Sequence, residues 1–187
     1  MGDIIIWGAT QEEHDERLRQ VLDIARKVNL KLNRDKCQCS VSELILLGDK
    51  ITSAGIKPDP RKTQAIENMD KPKCRKDIQM FLGMINFLGK FIPNLSSKCA
   101  NLRSLIEKKN QFVWGPEHEK EWSNLKKVIC NEPVLKFYDH RKPIKVSSDA
   151  SQNGLGAVLL QQQGNNTWLP VAFASRSLTD SEMRYCQ

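Results

Sequence analysis

A chain of 187 residues with 40% hydrophobic and 27% charged residues has the composition of a folded globular protein, with room for one ordinary domain or two small ones. No apolar run approaches the roughly 20 residues that a membrane-spanning helix needs, and no basic segment precedes the first apolar residues as in a signal peptide. These features argue against a membrane protein and a secreted precursor, so we expect an intracellular protein. The six cysteines form no CxxC pair and no zinc-finger spacing, and we expect reduced thiols.

The net charge of +7 is concentrated in the middle of the chain. Residues 57–109 contain twelve Lys and Arg against five Asp and Glu, so this segment accounts for the whole excess. A basic stripe on a mid-chain module favours a polyanionic partner such as a nucleic acid. A solvated, lysine-rich surface explains the charge equally well.

The first 52 residues predict a thin α+β unit. Residues 3–7 form a short β-rich run, and Thr10 with Glu13 forms a capping box that opens a helix extending to about residue 29. Residues 36–41 and 44–52 have the pattern of two strands. Three strands and one helix make a small, marginal core.

Residues 53–110 predict a turn-rich connector, up to residue 60, followed by three helices. Residues 61–69 form a short helix, residues 73–91 a longer one that Pro93 ends, and Ser96 caps a third. The apolar side chains of the long helix share one seam, which is typical of a small bundle: Ile78, Phe81, Leu82, Ile85 and Leu88. We interpret Phe81, Phe87 and Phe91 as core residues rather than base-stacking groups.

Residues 111–141 predict a linking helix and a short extended run. Pro116 suits the first position of a helix whose apolar face includes Trp122 and Leu125, and residues 133–137 are extended. This segment has no pattern of catalytic residues, and we expect its tryptophans to pack.

Residues 145–161 predict an antiparallel hairpin in which Asp149 ends the first strand. Such a hairpin holds the Asp149 carboxylate at a rigid edge, and carboxylate oxygens are the ligands that Mg²⁺ prefers. An Asp that only caps the turn is the alternative. Residues 168–175 form a third strand, and Thr179 with Glu182 forms a second capping box.

The string DASQNGLGAVLLQ resembles the first strand pair of the ribonuclease H domain in the Pol polyproteins of gypsy-type LTR retrotransposons, and SRSLTDSEMRY resembles the segment after its third strand. In that family the Asp that matches Asp149 is the first of the acidic residues that bind a pair of metal ions. The resemblance therefore implies Mg²⁺ as cofactor and Asp149 as catalytic residue and metal ligand. It assigns Glu182 to helix capping, and we expect the family's later acidic residues beyond Gln187.

Two further blocks resemble the reverse transcriptase of the same elements. DIIIWG, LNRDKCQC and LLGDKITSAGIKPD follow the end of its palm, and FLGMINFLGKFIPN follows its thumb signature. Asp3 matches the second Asp of the YxDD polymerase motif, but Gly2 replaces the first, so we treat Asp3 as a remnant. Leu47 and Gly48 match the primer-grip hairpin, with ordinary core and turn roles as the alternative.

The thumb of that family follows the template–primer backbone, and the resemblance implies contacts with phosphate or sugar by residues of the basic helices. The candidates are Lys76, Asn86 and Lys90. Such contacts position a nucleic acid rather than read its sequence, and they weaken as salt rises.

The expected architecture is α+β, in four parts. They are the C-terminal part of a reverse-transcriptase palm with the primer-grip hairpin (residues 1–52), a helical thumb bundle (53–110), a connecting helix and lead-in (111–141), and the antiparallel three-strand start of a ribonuclease H-like domain (142–187). The implied partner is an RNA/DNA hybrid or a template–primer, with no membrane, and the oligomeric state stays open.

The intact family copies RNA into DNA and cuts the RNA strand of the hybrid. Because this chain holds one carboxylate of each site, we expect it to be a catalytically inactive fragment on its own. The alternatives are a non-catalytic nucleic-acid-binding module that uses the basic thumb region, and a degenerate reading frame with no selected role.

Overall fold

The computed structural model describes residues 3–107, 110–131, 134–179 and 181–184, and it divides into two compact units, residues 1–41 and 42–187. Among the described residues, no helix is both long enough and apolar enough to cross a membrane.

The first unit is built around helix α1, Gln11–Lys27. The predicted capping box is present, because Thr10 Oγ1 accepts a hydrogen bond from the Glu13 amide at 3.2 Å and Glu13 Oε2 accepts one from the Ala9 amide at 2.7 Å. Residues 3–7 and 36–41 were expected to be strands, but neither segment is a strand. An extended segment becomes a strand only with a hydrogen-bonded neighbour, and the described part of this unit offers none.

The second unit begins with a small antiparallel sheet of β1 (Leu44–Leu46), β2 (Asp49–Thr52) and β3 (Gly55–Pro58), in that order. The expectation of one strand over residues 44–52 is wrong, because the chain reverses at Leu47 and Gly48, with φ of 50° and 84°. Positive φ at both central residues is what a two-residue type I′ turn requires. The connector expected over residues 53–60 contains β3.

Five helices follow: α2 (Pro60–Glu67), α3 (Arg75–Phe87), α4 (Leu95–Lys98), α5 (Ala100–Ser104) and α6 (Pro116–Cys130). The predicted third helix is thus two short ones, and Asn94 rather than Ser96 precedes α4. Asp59 caps α2 through its Oδ1, which accepts from the Arg61 amide at 3.0 Å, and Pro60 occupies the first helical turn.

The apolar seam of α3 forms the centre of the core. Ile78, Phe81 and Ile85 are fully buried, as expected, and the Phe81 ring lies 4.0 Å from the Trp122 ring of α6, centroid to centroid. The core cluster also contains Leu102 of α5 and Leu125 of α6. Helix α6 is therefore a member of the bundle and not only a link. Phe91 is buried, but Phe87 is 49% exposed, so its assignment to the core is wrong.

The predicted C-terminal sheet is confirmed: β4 (Ile144–Ser151), β5 (Gly154–Gln162) and β6 (Trp168–Ser177) pair antiparallel in sequence order. Asp149 lies opposite Gly156, which lies opposite Ser175. After β6, the Glu182 carboxylate accepts hydrogen bonds from Arg176 and from the Thr179 amide, which lowers the pKa of Glu182 to about 2. This is the predicted capping box, and Glu182 is fully engaged in it.

The extended segment around Leu135 joins the two sheets. Leu135 exchanges two backbone hydrogen bonds with Ile56 of β3, at 2.8 and 3.0 Å, and the next amide, of Lys136, donates to Pro170 of β6 at 2.8 Å. The Leu135 side chain is buried in the core of the bundle. This short stretch of chain therefore contacts both sheets and the bundle.

Candidate functional site

One face of helix α3 is exposed and carries a narrow band of side chains, which we call the α3 stripe. Its members recur at intervals of three or four residues, so they lie on one side of the helix: Lys76, Gln79, Met80, Gly83, Asn86 and Phe87. Met80 and Phe87 are 56% and 49% exposed, which is unusual for large apolar side chains on a helix whose other face is fully buried. An exposed apolar band beside basic and amide groups is a typical contact surface.

Gly83 lies at the centre of the α3 stripe, with open space where its side chain would be. A glycine in a helix interior costs roughly 1 kcal/mol relative to alanine. No packing in the described structure requires that cost. The absence of a side chain leaves a flat notch through which another molecule can approach the helix backbone closely.

The tip of the β1–β2 hairpin lies beside this stripe. Lys62 Nζ stands 3.3 Å from the centre of the Phe87 ring, and a Cβ on Gly48 would clash with the same ammonium group. Leu47, at the tip, is 81% exposed. Leu47 is therefore not a core residue, and the hairpin tip, Lys62 and Phe87 together extend the exposed surface of α3.

Of the three residues on the bundle that were predicted to contact a nucleic acid, two are exposed and one is held in an ion pair. Lys76 is exposed and has no ion pair among the described residues, and Asn86 is exposed and accepts a 3.4 Å hydrogen bond from Arg103. Lys90 forms an ion pair with Asp49 of β2. The other oxygen of that carboxylate, Asp49 Oδ1, is buried without a hydrogen-bond partner. The Lys90 charge is thus neutralised by Asp49, and Lys90 ties the hairpin to the bundle.

Asp149 occupies an exposed position on β4, and its carboxylate has no hydrogen-bond partner among the described residues. It lines a small pocket with Asn94 and Ser97 of the bundle and Ser151 and Ser175 of the sheet. Hydroxyl, amide and carboxylate oxygens are hard donors and suit Mg²⁺ in kind. They do not suit it in number, since one carboxylate is too few for the metal pair of a nuclease site.

No group of three or more His, Cys, Asp or Glu side chains close enough to hold a metal ion occurs within the described ranges. Asp3 is exposed in the first unit, in an irregular segment. Burial raises the pKa of the Cys99 thiol to about 12, which makes this thiol a poor nucleophile, and no disulfide forms among the described cysteines. The described residues therefore supply single carboxylates, and we assign no reaction step to them alone.

Sequence reasoning missed several surface residues that the structure brings together. They are Lys62, Gln79, Met80, Gly83 and Phe87. A signal was present, because a glycine inside a strong helical pattern is costly and needs a packing or functional reason. The pairing of Asp49 with Lys90 had no local signal, since the two residues are far apart in the sequence.

Comparisons with known proteins agree with this architecture. Residues 114–187 match the family model of the RNase H-like domain found in reverse transcriptase. Over 185 residues, 99% of this chain, the sequence is 31% identical to the Transposon Tf2-3 polyprotein and 30% identical to the Transposon Tf2-7 polyprotein, both of Schizosaccharomyces pombe. The chain spans 14% of the length of these polyproteins.

Among solved structures, the foamy viral protease-reverse transcriptase dRH in complex with dsDNA superimposes with a TM-score of 0.83 at 25% identity, covering 96% of this chain and 32% of that one. The foamy viral enzyme in complex with an RNA/DNA hybrid gives a TM-score of 0.80 at 25% identity, covering 96% and 24%. Residues 114–187 therefore match the RNase H-like domain found in reverse transcriptase, and the chain as a whole is similar to one part of the Tf2 transposon polyproteins and of the foamy viral protease-reverse transcriptase.

Proposed function

We propose that residues 42–187 are a duplex-holding part of a retrotransposon reverse transcriptase and ribonuclease H, which grips an RNA/DNA hybrid or a template–primer along the α3 stripe. The observation that carries this proposal is the exposed stripe itself, with the Gly83 notch at its centre and Met80 and Phe87 on either side. Apolar and amide side chains next to a notch suit the sugars and groove of a duplex, and Lys76 and Lys62 suit its phosphates. The foamy viral relatives were solved with dsDNA and with an RNA/DNA hybrid.

In this proposal the four expected parts keep their roles. Residues 1–52 are the end of the palm with Leu47 and Gly48 in the primer-grip hairpin, residues 53–110 the thumb, residues 111–141 the connection, and residues 142–187 the start of the ribonuclease H-like domain. The exposed Leu47 and the stripe face the duplex, while Lys90 supports the hairpin from behind through Asp49.

Asp149 takes the role of the first catalytic carboxylate of RNA-strand cleavage in the complete polyprotein. Bound Mg²⁺ would activate a water molecule and stabilise the charge on the scissile phosphate there. Asp149 would supply one ligand from a rigid strand. The other ligands belong to residues outside the described ranges, so the described residues by themselves bind a hybrid without cutting it.

Binding is tested by fluorescence anisotropy with a labelled RNA/DNA hybrid at several salt concentrations. Lys76→Gln should weaken binding and should lower the slope of log K against log salt by roughly 1, because one phosphate contact is lost. Lys120→Gln is the matched control, since it removes the same charge from an exposed position on α6.

Absence of hybrid binding at low salt would end the proposal. Equal losses in Lys76→Gln and Lys120→Gln would show that binding depends on overall charge and not on the α3 stripe. A double-stranded DNA of the same length, measured in parallel, shows whether the stripe distinguishes the hybrid from DNA.

A further inference from the structure

Helix α4 lies against one face of the C-terminal sheet, and serine side chains of the two elements meet there. The Ser96 amide donates a 2.9 Å hydrogen bond to Ser175 Oγ, and Ser97 Oγ lies 3.0 Å from Ser151 Oγ. The sheet face is the one that carries Asp149, because residues 149, 151, 156 and 175 point to the same side of the paired strands. The bundle therefore covers part of the face on which Asp149 lies.

Gly156 is required at this contact by space and not by backbone conformation. It lies inside β5 with no positive φ, yet a Cβ at this position would clash with Oδ1 of Asn94. At Gly154 a Cβ would stand 2.6 Å from the backbone oxygen of Arg176 in β6 and 2.7 Å from Cβ of Ser96. The two glycines of the motif NGLG thus leave space for Asn94 and Ser96, which lets α4 approach the sheet closely.

Asn94 places its side chain over Gly156 through an unusual backbone conformation. Its φ of 52° and ψ of 42° place it in the left-handed region, which non-glycine residues adopt at a cost. That conformation puts its amide group over Gly156, the residue directly opposite Asp149, and both side chains line the same pocket. The Asn94 side chain thus occupies the space that a cross-strand neighbour of Asp149 would otherwise fill.

We propose that Asn94 is a positioning residue for Asp149: inserted from the bundle across Gly156, it locks α4 onto the sheet and closes one wall of the pocket beside the Asp149 carboxylate. The inference goes beyond nucleic-acid binding, because it couples the seating of the bundle to the geometry at Asp149. Its value for cleavage rests on the function proposed above. The test measures the structure around Asp149 and not duplex binding, so the two proposals can fail separately.

The first test is Asn94→Gly in the full chain, with Asn29→Gly as the matched control. Glycine accepts the left-handed conformation at both positions, where φ is 52° and 54°, so neither variant is strained. Asn94→Gly should shift the NMR signal of the Asp149 side-chain carboxyl carbon and should speed hydrogen exchange of the β4–β5 amides near Asp149 by about tenfold. Asn29→Gly should change neither.

The second test is Gly156→Ala, alone and combined with Asn94→Gly. The single variant should exchange faster around Asp149, because its methyl group displaces Asn94. The double variant should exchange no faster than Asn94→Gly alone, because the clashing group is gone. A merely structural role for Gly156 within the sheet would not give this rescue.

An unchanged Asp149 signal in Asn94→Gly, or a double variant that exchanges faster than Asn94→Gly alone, would overturn the proposal. If Gly156→Ala does not fold, the comparison of Asn94→Gly with Asn29→Gly decides alone.

Discussion

At the scale of single residues, replacement of Gly83 is expected to change stability and hybrid binding in opposite directions. It lies in the interior of α3, and no atom outside the helix backbone stands within 4 Å of the place that a Cβ would take, so alanine fits without strain. Gly83→Ala should raise the free energy of unfolding by about 0.5–1 kcal/mol through helix propensity. It should also weaken hybrid binding, because a methyl group fills the notch of the α3 stripe. Urea unfolding and anisotropy measure the two effects.

Asn124→Ala is the control for Gly83→Ala. Asn124 is exposed on α6, away from the stripe, so its replacement should raise helix stability without changing affinity. A Gly83→Ala protein that is more stable and binds the hybrid as tightly as the unaltered chain would remove Gly83 from the proposed contact.

Asp59 gives the molecule an acid-sensitive cap. Its side chain is 4% exposed, and the hydrogen bonds and charge of Arg61 lower the pKa of the Asp59 carboxyl. A carboxyl whose pKa is lower in the folded state stabilises the fold above its unfolded pKa of about 3.9, and that stability is lost as pH falls through the folded value. Asp59→Asn keeps a capping oxygen but loses the charge, so it should be less stable than the unaltered protein at neutral pH.

That difference in stability should shrink on acidification, as measured by thermal unfolding between about pH 6 and pH 2. Asp70→Asn is the control, since Asp70 is exposed and forms no ion pair in the described structure. A difference between Asp59→Asn and the unaltered protein that stays constant with pH would show that the charge of Asp59 does not contribute.

At the scale of elements, the β1–β2 turn carries a residue that its geometry does not favour. Asparagine or glycine is preferred at the first central position of such a turn, yet the chain has an exposed leucine there. Leu47→Asn should therefore stabilise the fold by about 0.5–1 kcal/mol while weakening hybrid binding. Leu47→Ala should weaken binding without the gain in stability. Unchanged binding in both variants would mean that Leu47 does not touch the duplex.

Much of the element order was predictable, and the failures have identifiable physical reasons. The helices around Ile78 and Trp122 were predicted because apolar period and caps agree, and the β4–β5 hairpin because turn residues separate two runs. The hairpin at Leu47 and Gly48 was expected only from the resemblance, since leucine is not a turn residue and the apolar pattern alone suggested one strand. Strand β3 was hidden by its Gly and Pro. Phe87 was wrongly assigned to the core because phenylalanine is usually buried. Its position in the helix, off the apolar seam, indicated the opposite.

The candidate site was less predictable than the fold. From the resemblance, Lys76 and Asn86 were expected to contact phosphate or sugar, and that contact stays a prediction; both residues are exposed. The roles of Gly83 and Asn94 depend on which side chains meet across the bundle, and the pairing of Lys90 with Asp49 depends on tertiary packing. No local pattern encodes such contacts.

At the scale of the whole molecule, binding and cleavage are expected to separate. The described residues include single carboxylates at Asp3 and Asp149 and no cluster of three potential metal ligands. The purified chain should therefore bind an RNA/DNA hybrid but should not cut it in the presence of Mg²⁺, as checked by gel analysis of a labelled RNA strand. Cleavage that disappears in Asp149→Asn would contradict this expectation.

The backbone ladder at Leu135 restricts how this region can change in evolution. Leu135 pairs with Ile56 on one side, and the next residue donates to Pro170 on the other. These hydrogen bonds fix the register of the segment against both strands. Adding or deleting one residue there would turn the Leu135 side chain from the interior to the solvent and break one set of pairings. Related elements should therefore keep the length of this stretch constant and vary instead in connections between strands such as Gly164–Asn166.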